Sequence, residues 1–425
     1  MEKEKLNDRS GSMLYIFYIC YLLSIFSAFC TSCSQSKTTN DNDSVSQEVI
    51  IEDNIAYYSI KNNRISVDLD NLQKASLSDY FKNIELIPLE TNNDVLIGSI
   101  RKCLIHQDNF YIFDGQQDIL WIFDETGKYV SKINKRGQGP GEYSLIYDMI
   151  INSFTGNVDL LSPFGSIYSY DLSGNHKRTV QVADQTPQSV LRAVHRFEAL
   201  DENSYALLAL YNSTLVNYFD IVDNQITYQA YDLKETSEGY SASTYFYRNQ
   251  SFFSYSLDNE TYTIGKDSIV KAYTWDFGKY NYERNKLTPT LPERIRDSRG
   301  YTEKEIRQRF EDIYRRIPYQ IYYQSQNNKY VIARIMLGGS EFSLDNPNFV
   351  NVIYDKSTQE SKNYPQLIVN PFILTNDYLL TYFSHDNLDK YINSEMLDNV
   401  NQKKFDDLRN EPEEMNPIII KYHFK

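Results

Sequence analysis

The chain is poor in cysteine, histidine, tryptophan and basic charge, and each shortage excludes something. Its 4 Cys are Cys20, Cys30, Cys33 and Cys103, three of them crowded near the N-terminus, so a disulfide framework is not what holds the body of the chain together. The 5 His, at positions 106, 176, 195, 385 and 423, form neither H-x-H nor H-E-x-x-H, which leaves a zinc or copper site with little support and no metal or cofactor expected. Lys and Arg total 43 against 57 Asp and Glu, and the formal charge of -14 argues against nucleic acid as a partner, because a phosphate backbone needs a basic face. There is no G-x-S-x-G elbow for a serine hydrolase. The S-x-D-x-G-x-T-W box of sialidase propellers is also missing, Ser256-Leu257-Asp258-Asn259 starting like it and then departing.

What the chain does have is tyrosine. There are 37 Tyr and 22 Phe against 2 Trp, in a sequence 41% apolar and 24% charged. Those proportions are globular, and Tyr favours pleated, half-buried surfaces, so the excess points to β-structure. A Tyr platform for stacking sugars is the sharper reading of the same composition.

Residues 13–29, MLYIFYICYLLSIFSAF, form an almost unbroken apolar run preceded by Lys3, Lys5 and Arg9. Its length suits a signal-peptide core better than a membrane span, which needs about 20 residues. Small residues follow, and Cys33, preceded by Ser32, fits an acylated lipoprotein cysteine better than Cys30, preceded by Phe29. Residues 1–32 therefore read as a lipoprotein signal peptide, Cys33 as the lipidation site, and 33–55, with the polar stretch SQSKTTNDNDSVSQE, as a flexible tether. Cys103 would then remain the sole thiol. It lies in Ile100-Arg101-Lys102-Cys103-Leu104-Ile105, where a buried inert thiol is expected.

From Asn109 the chain gives NFYIFD, DILWIFD, the turn ETG and KYVSKI; from Asn157 it gives NVDLL, SIYSYD, the turn LSG and NHKRTVQV. Asp124 registers with Asp171 and Gly127 with Gly174, a third unit ends on TLVNYFD and QITYQAYDL, and the period is about 48 residues. Four short strands per unit at that period indicate β-propeller blades. Weaker units follow: Tyr245–Arg248, Phe252–Ser256, Tyr262–Ile264 and Ser268–Trp275 as a fourth blade, three strands of a fifth between Ile321 and Tyr354, and three of a sixth at Phe372–Leu374, Tyr378–Phe383 and Pro417–Phe424. The alternating segment Arg64–Leu69 is assigned as the strand missing from the sixth, so both termini close the ring and remove its open edges. The expected fold is all-β, a six-bladed propeller over 56–425 with helical insertions at about 290–317 and 386–410. In the first insertion Thr302-Glu303-Lys304-Glu305 reads as a capping box. Ile306, Phe310 and Ile313 share one face, and Arg307, Arg309, Arg315 and Arg316 each follow an acid by four residues, the pattern of a solvated helix face.

One run stands out from the strands, Arg136-Gly137-Gln138-Gly139-Pro140-Gly141-Glu142-Tyr143. It lacks the Gly-Lys-Ser/Thr of a P-loop and the strand-to-helix setting of a dinucleotide loop. Gly137, Gly139 and Gly141, with Pro140 stiffening the middle, suit a tight crossover from the outer strand of one blade to the inner strand of the next. Arg136, Glu142 and Tyr143 are the candidates for a ligand site at the mouth of the central channel; alternatively Arg136 and Glu142 hold the crossover by pairing with each other or with backbone.

With these motifs the chain resembles the six-bladed β-propeller lipoproteins of gut Bacteroidota, broadly similar in shape to NHL and TolB-type propellers. The resemblance rests on IPLET at 87–91 with Ile97-Gly98, on YIFD and WIFD with the Asp124-x-x-Gly127 turn, on GQGPGEY and on the terminal NPIIIKYHFK, and is stronger before residue 190 than after it. It implies a fold, export and a lipid anchor, and no catalytic residues. The expected function is a binding or protein-interaction module held at the outer membrane, facing either the periplasm or the surface, with a glycan, peptide or partner protein as ligand. The competing expectation is a glycan hydrolase or lyase using carboxylates and Tyr in the central channel.

Overall fold

A computed structural model describes residues 49–425 except 53–54, 75, 164, 183–193, 210–213, 234–241, 256–257, 283–302, 366–367, 369–370 and 412–414. The residues read as a signal peptide, Cys33 and most of the expected tether thus lie outside the described residues, as does the expected N-cap Thr302. A hairpin comes first, β1 (Val49–Glu52) with β2 (Ile55–Tyr58), so β1 and the first residue of β2 fall within the tether expected to run to residue 55. Two more N-terminal strands follow, β3 (Arg64–Ser66) and β4 (Phe81–Pro88).

Four-stranded antiparallel sheets then succeed one another. Blade one is β5 (Ile100–His106), β6 (Asn109–Asp114), β7 (Ile119–Phe123) and β8 (Tyr129–Ile133). Blade two is β9 (Asp148–Ile151), β10 (Val158–Leu161), β11 (Ser166–Tyr170) and β12 (His176–Gln181). Blade three is β13 (Val194–Ala199), β14 (Ser204–Ala209), β15 (Thr214–Asp220) and β16 (Gln225–Asp232). Blade four is β17 (Ala242–Tyr247), β18 (Gln250–Tyr255), β19 (Glu260–Ile264) and β20 (Ile269–Asp276). Blade five is β21 (Tyr319–Gln326), β22 (Tyr330–Leu337), β23 (Phe349–Asp355) and β24 (Glu360–Pro365), the last unforeseen in the sequence. Blade six is β25 (Ile373–Leu374), β26 (Tyr378–Phe383) and β27 (Ile418–Phe424), completed by β4. The result is a six-bladed β-propeller in which first strands meet around the axis, β5 against β9, β9 against β13, β17 against β21 and β21 against β25.

Hydrophobic clusters lie between blades, as sheets packed on both faces require. One joins blades six, one and two through Ile373, Ile419, Cys103, Leu104 and Met149; another fills the gap between four and five with Trp275, Ile321 and Val352. Middle strands such as β6, β7 and β22 therefore read as near-continuous apolar runs, whereas outer strands such as β8 and β12 alternate because one face meets water. The repeated Asp-x-x-Gly turns close the outer hairpins: Asp124 Oδ1 accepts from the amides of Thr126 and Lys128, Asp171 Oδ1 from those of Ser173 and Asn175. Gly127 and Gly174 there take φ of 89° and 81°, a left-handed conformation that favours glycine.

The ring is closed by an N-terminal strand, but not by the one assigned from sequence. Arg64–Ser66 lies parallel to β20 and extends blade four to five strands, and the partner of β27 is β4, seven register pairs long from Ile418↔Pro88 to Phe424↔Phe81. The physical reason is apolar content. In β3 only Ile65 is buried, whereas β4 brings Phe81, Ile84, Leu86 and Ile87.

Between these two strands the chain straps the outside of blade five. Asn363 Nδ2 donates to Asp68 O (2.7 Å) and Gln73 N to Asn363 O (2.8 Å), while the Tyr80 and Tyr364 hydroxyls meet further on. The helical insertions are α1 (Glu303–Tyr314), α2 (Leu388–Tyr391) and α3 (Asn399–Leu408). Ile313 and Tyr314 of α1 pack into the cluster of blades three and four. Arg315 pairs with Glu311 (3.1 Å), as the spacing suggests, but Arg307 pairs with Asp345 outside the helix. Phe405 and Leu408 of α3 pack on blade six, and its Asn401 and Lys404 side chains satisfy the outward amide and carbonyl of Leu86 at 2.9 Å each, protecting the free edge of β4. Among the described residues no helix is long and apolar enough to cross a membrane.

Candidate functional site

Three places could carry function: the axis, the glycine loop and the outer rim. The axis is built from the inner strands, and in three of them a bulge interrupts the ladder, between Ile100 and Lys102, Val194 and Arg196, and Ile321 and Tyr323. Bulges re-aim side chains, and here they accompany a buried charged cluster. Lys102 Nζ on β5 lies 2.8 Å from Asp148 Oδ1 on β9, both side chains almost fully enclosed. Glu198 on β13 accepts from Ser251 Oγ (3.2 Å); burial pushes its carboxyl up to about 7, Lys102 pulling it back and Asp148 adding to the rise. His195 places Nδ1 2.8 Å from Leu208 O, and burial takes its pKa down to about 3, so the ring is neutral.

Away from the axis, between blades four and five, Gln324 Oε1 accepts from Trp275 Nε1 (2.7 Å) and Tyr273 OH (3.0 Å). Lys356 Nζ donates to Gln326 Oε1 (2.8 Å) and Asn327 O (2.7 Å), and burial lowers its pKa to about 7. Asp148 and Glu198 are thus two acids on neighbouring strands, as a glycosidase would use, but both are sealed and an ammonium is bonded to one of them. A hydrolase pair must face a cleft that admits a sugar ring and, for inversion, a water. Among the described residues no group of three or more His, Cys, Asp or Glu side chains is placed to hold a metal.

The glycine loop joins β8 to β9 and is bonded to itself. Gly137 N donates to Tyr143 O, Tyr143 N to Lys135 O and Glu142 N to Gly139 O, all near 3 Å, and Glu142 Oε2 accepts from Gly139 N at 2.8 Å. Arg136 and Glu142 are both exposed and form no ion pair with each other among the described residues. Tyr143 is buried, its hydroxyl donating to Asp118 O (2.8 Å), and burial pushes it up to about 12. Asp118 in turn accepts from Ile146 N (3.0 Å), and its carboxyl is raised by burial against the pull of Arg136. Of the three sequence candidates, Tyr143 therefore anchors the loop, Glu142 is exposed but turned onto Gly139 N, and Arg136 is exposed, its side chain without a bond to the loop among the described residues.

The third place was not foreseen. A groove of about 550 Å³ opens on the outer rim between the strap and β24, lined by Lys61, Asn62, Arg64, Ser66, Gln73, Tyr354 and residues 359–362. Ile65 and Val67 turn their main-chain groups to β20, where Val67 N donates to Asp276 O (2.7 Å); Arg64 and Ser66 consequently turn theirs to the groove, where Ser66 O accepts from Ser361 Oγ. Nothing in the sequence marks it, because its walls come from residues about 300 positions apart. The axial cluster did leave a signal, the Arg101-Lys102 pair inside an otherwise apolar strand.

A six-bladed propeller is a fold, not an activity, and the relatives share that fold. A model described as a domain of unknown function, DUF4934, matches residues 61–423, and the chain belongs to that family. A solved structure from Bacteroides fragilis, described as an exported protein, is 17% identical with a TM-score of 0.62, covering 85% of this chain and 99% of its own. A member of the DUF4221 family from Bacteroides vulgatus is 10% identical with a TM-score of 0.50, covering 81% and 98%. At such identities the likeness is one of fold. No curated protein matches the sequence.

Proposed function

We propose that this protein is a binding module of the cell envelope, anchored to the outer membrane by a lipid on Cys33, and that it engages its ligand on the outside of the ring. The observation carrying the reading is that Lys102, Asp148 and Glu198, the inner-strand charges a channel enzyme would present to substrate, are buried and bonded to other protein groups. The apolar run 13–29 before Ser32-Cys33 and the described export of the Bacteroides fragilis neighbour support the address. Purified residues 49–425 are expected to retain ligands from a glycan and peptide panel without converting them. Turnover of any of these that disappears in Asp148→Asn or Glu198→Gln would overturn the reading. For the anchor, Cys33→Ser expressed in a Bacteroides host is expected to leave the membrane fraction; continued partitioning with membranes would refute it.

A further inference from the structure

We infer that the rim groove between the strap and β24 is a binding site for a small hydroxylated anion, of the class of uronic acids and phosphorylated or sulfated sugars. The groove is a built feature. Gln359, held at φ 61°, clamps one end: its Oε1 accepts from Lys61 N (2.7 Å) and from Tyr354 OH, and its Nε2 donates to Ser59 O (2.9 Å). The Asn363 bonds to Asp68 and Gln73 tie the strap again further along β24. A non-glycine residue in left-handed backbone is retained where its surroundings over-determine it, and the three Gln359 bonds, with a fourth from its Nε2 to Lys356 O, do that here. The groove is open to solvent, and its volume of about 550 Å³ lies within the range of small-molecule sites, about 300–1,000 Å³.

Its lining selects the ligand chemistry. Lys61, Arg64 and Lys362 face a single acid, Glu360, in a molecule of formal charge -14. Arg64 is committed to Asp276 (2.7 Å), but neither Lys61 nor Lys362 has an acid partner among the described residues, and both are exposed. Two uncommitted ammonium groups in one concavity favour an anion. The rest of the lining is amide and hydroxyl, from Asn62, Gln73, Ser66 and Ser361, which suits hydroxyl groups rather than an apolar body. Tyr354, the lone aromatic there, buries its ring, so stacking cannot hold a neutral sugar and the charge must do so.

This inference rests on the reading of the propeller as a binding module but can fail without it. The test is calorimetric titration of residues 49–425 with glucuronate, galacturonate and glucose 6-phosphate, and with glucose and inorganic sulfate as comparators at constant ionic strength. At least one hydroxylated anion is expected to bind saturably, more tightly than glucose or sulfate. Lys61→Glu with Lys362→Glu should weaken it by about tenfold or more at an unchanged unfolding temperature, and Gln73→Ala should weaken it while leaving sulfate alone. Glucose binding equally well, sulfate binding equally well, full affinity in the charge-reversed variant, or no binding of the three anions would each overturn the site. A panel ligand still retained by the charge-reversed variant would leave the binding-module reading intact.

Discussion

Glu198 gathers several physical effects in one side chain. Its pKa is raised from 4.5 to about 7, so the folded state holds the proton more tightly than the unfolded chain does. The stability it contributes is complete below pH 4.5 and is lost as pH rises through about 7, a swing on the order of 3 kcal/mol. His195 acts in the opposite sense, because a base lowered from 6.5 to about 3 loses its contribution as pH falls. The two oppose each other in wild type, and Glu198→Gln separates them. Urea unfolding at about pH 4.5 and about pH 8 should show wild type losing stability relative to E198Q on going to the higher pH. Parallel pH profiles for the two proteins would mean that Glu198 does not titrate in that window.

At the scale of the element, the glycine loop separates a backbone requirement from a side-chain one. Gly141 has φ of 74°, and a Cβ there would come within 2.6 Å of the His176 ring, while its carbonyl accepts from Tyr170 OH at 2.7 Å. Gly137 has no such dihedral; its Cβ would meet the Glu142 carboxylate at 2.0 Å, the movable tip of an exposed side chain. Gly141→Ala is therefore expected to cost about 1–3 kcal/mol, through backbone strain and a displaced ring. Gly137→Ala should cost about 1 kcal/mol or less, mainly the bond from Gly139 N to Glu142. Thermal unfolding of both variants checks the order, and a reversed order would contradict this account of the loop.

For the whole molecule, the N-terminal strands do two separable jobs. β3 and the strap cover the outer edges of blades four and five, while β4 closes the ring against β27. A chain starting at residue 76 should still fold, with a lower unfolding temperature and more self-association through the uncovered edge of β20. A chain starting at residue 90 lacks the partner of β27 and should lose cooperative unfolding altogether. Circular dichroism melts with size-exclusion chromatography distinguish the two, and a residue-90 chain that melts like the full protein would refute closure by β4.

Blade number, period and the Asp-x-x-Gly turns were legible in the sequence because they are local: an alternating or apolar run beside a turn residue needs no distant partner. Closure by an N-terminal strand could be anticipated from the strand missing in blade six, but Arg64–Ser66 and Phe81–Pro88 both read as plausible strands, and only pairing across more than 200 residues chose between them. Arg136, Glu142 and Tyr143 stand out in the sequence as charged or aromatic residues flanking a glycine run. Folding buried Tyr143, turned Glu142 back onto Gly139 and left Arg136 exposed, since in a loop the direction of a side chain follows the tertiary path of the backbone. The rim groove exists only because strap and β24 meet. The sequence by itself determined a six-bladed ring; which charges are sealed at its axis and which stay open at its rim was decided by packing, because burial is a property of neighbours and not of the residue.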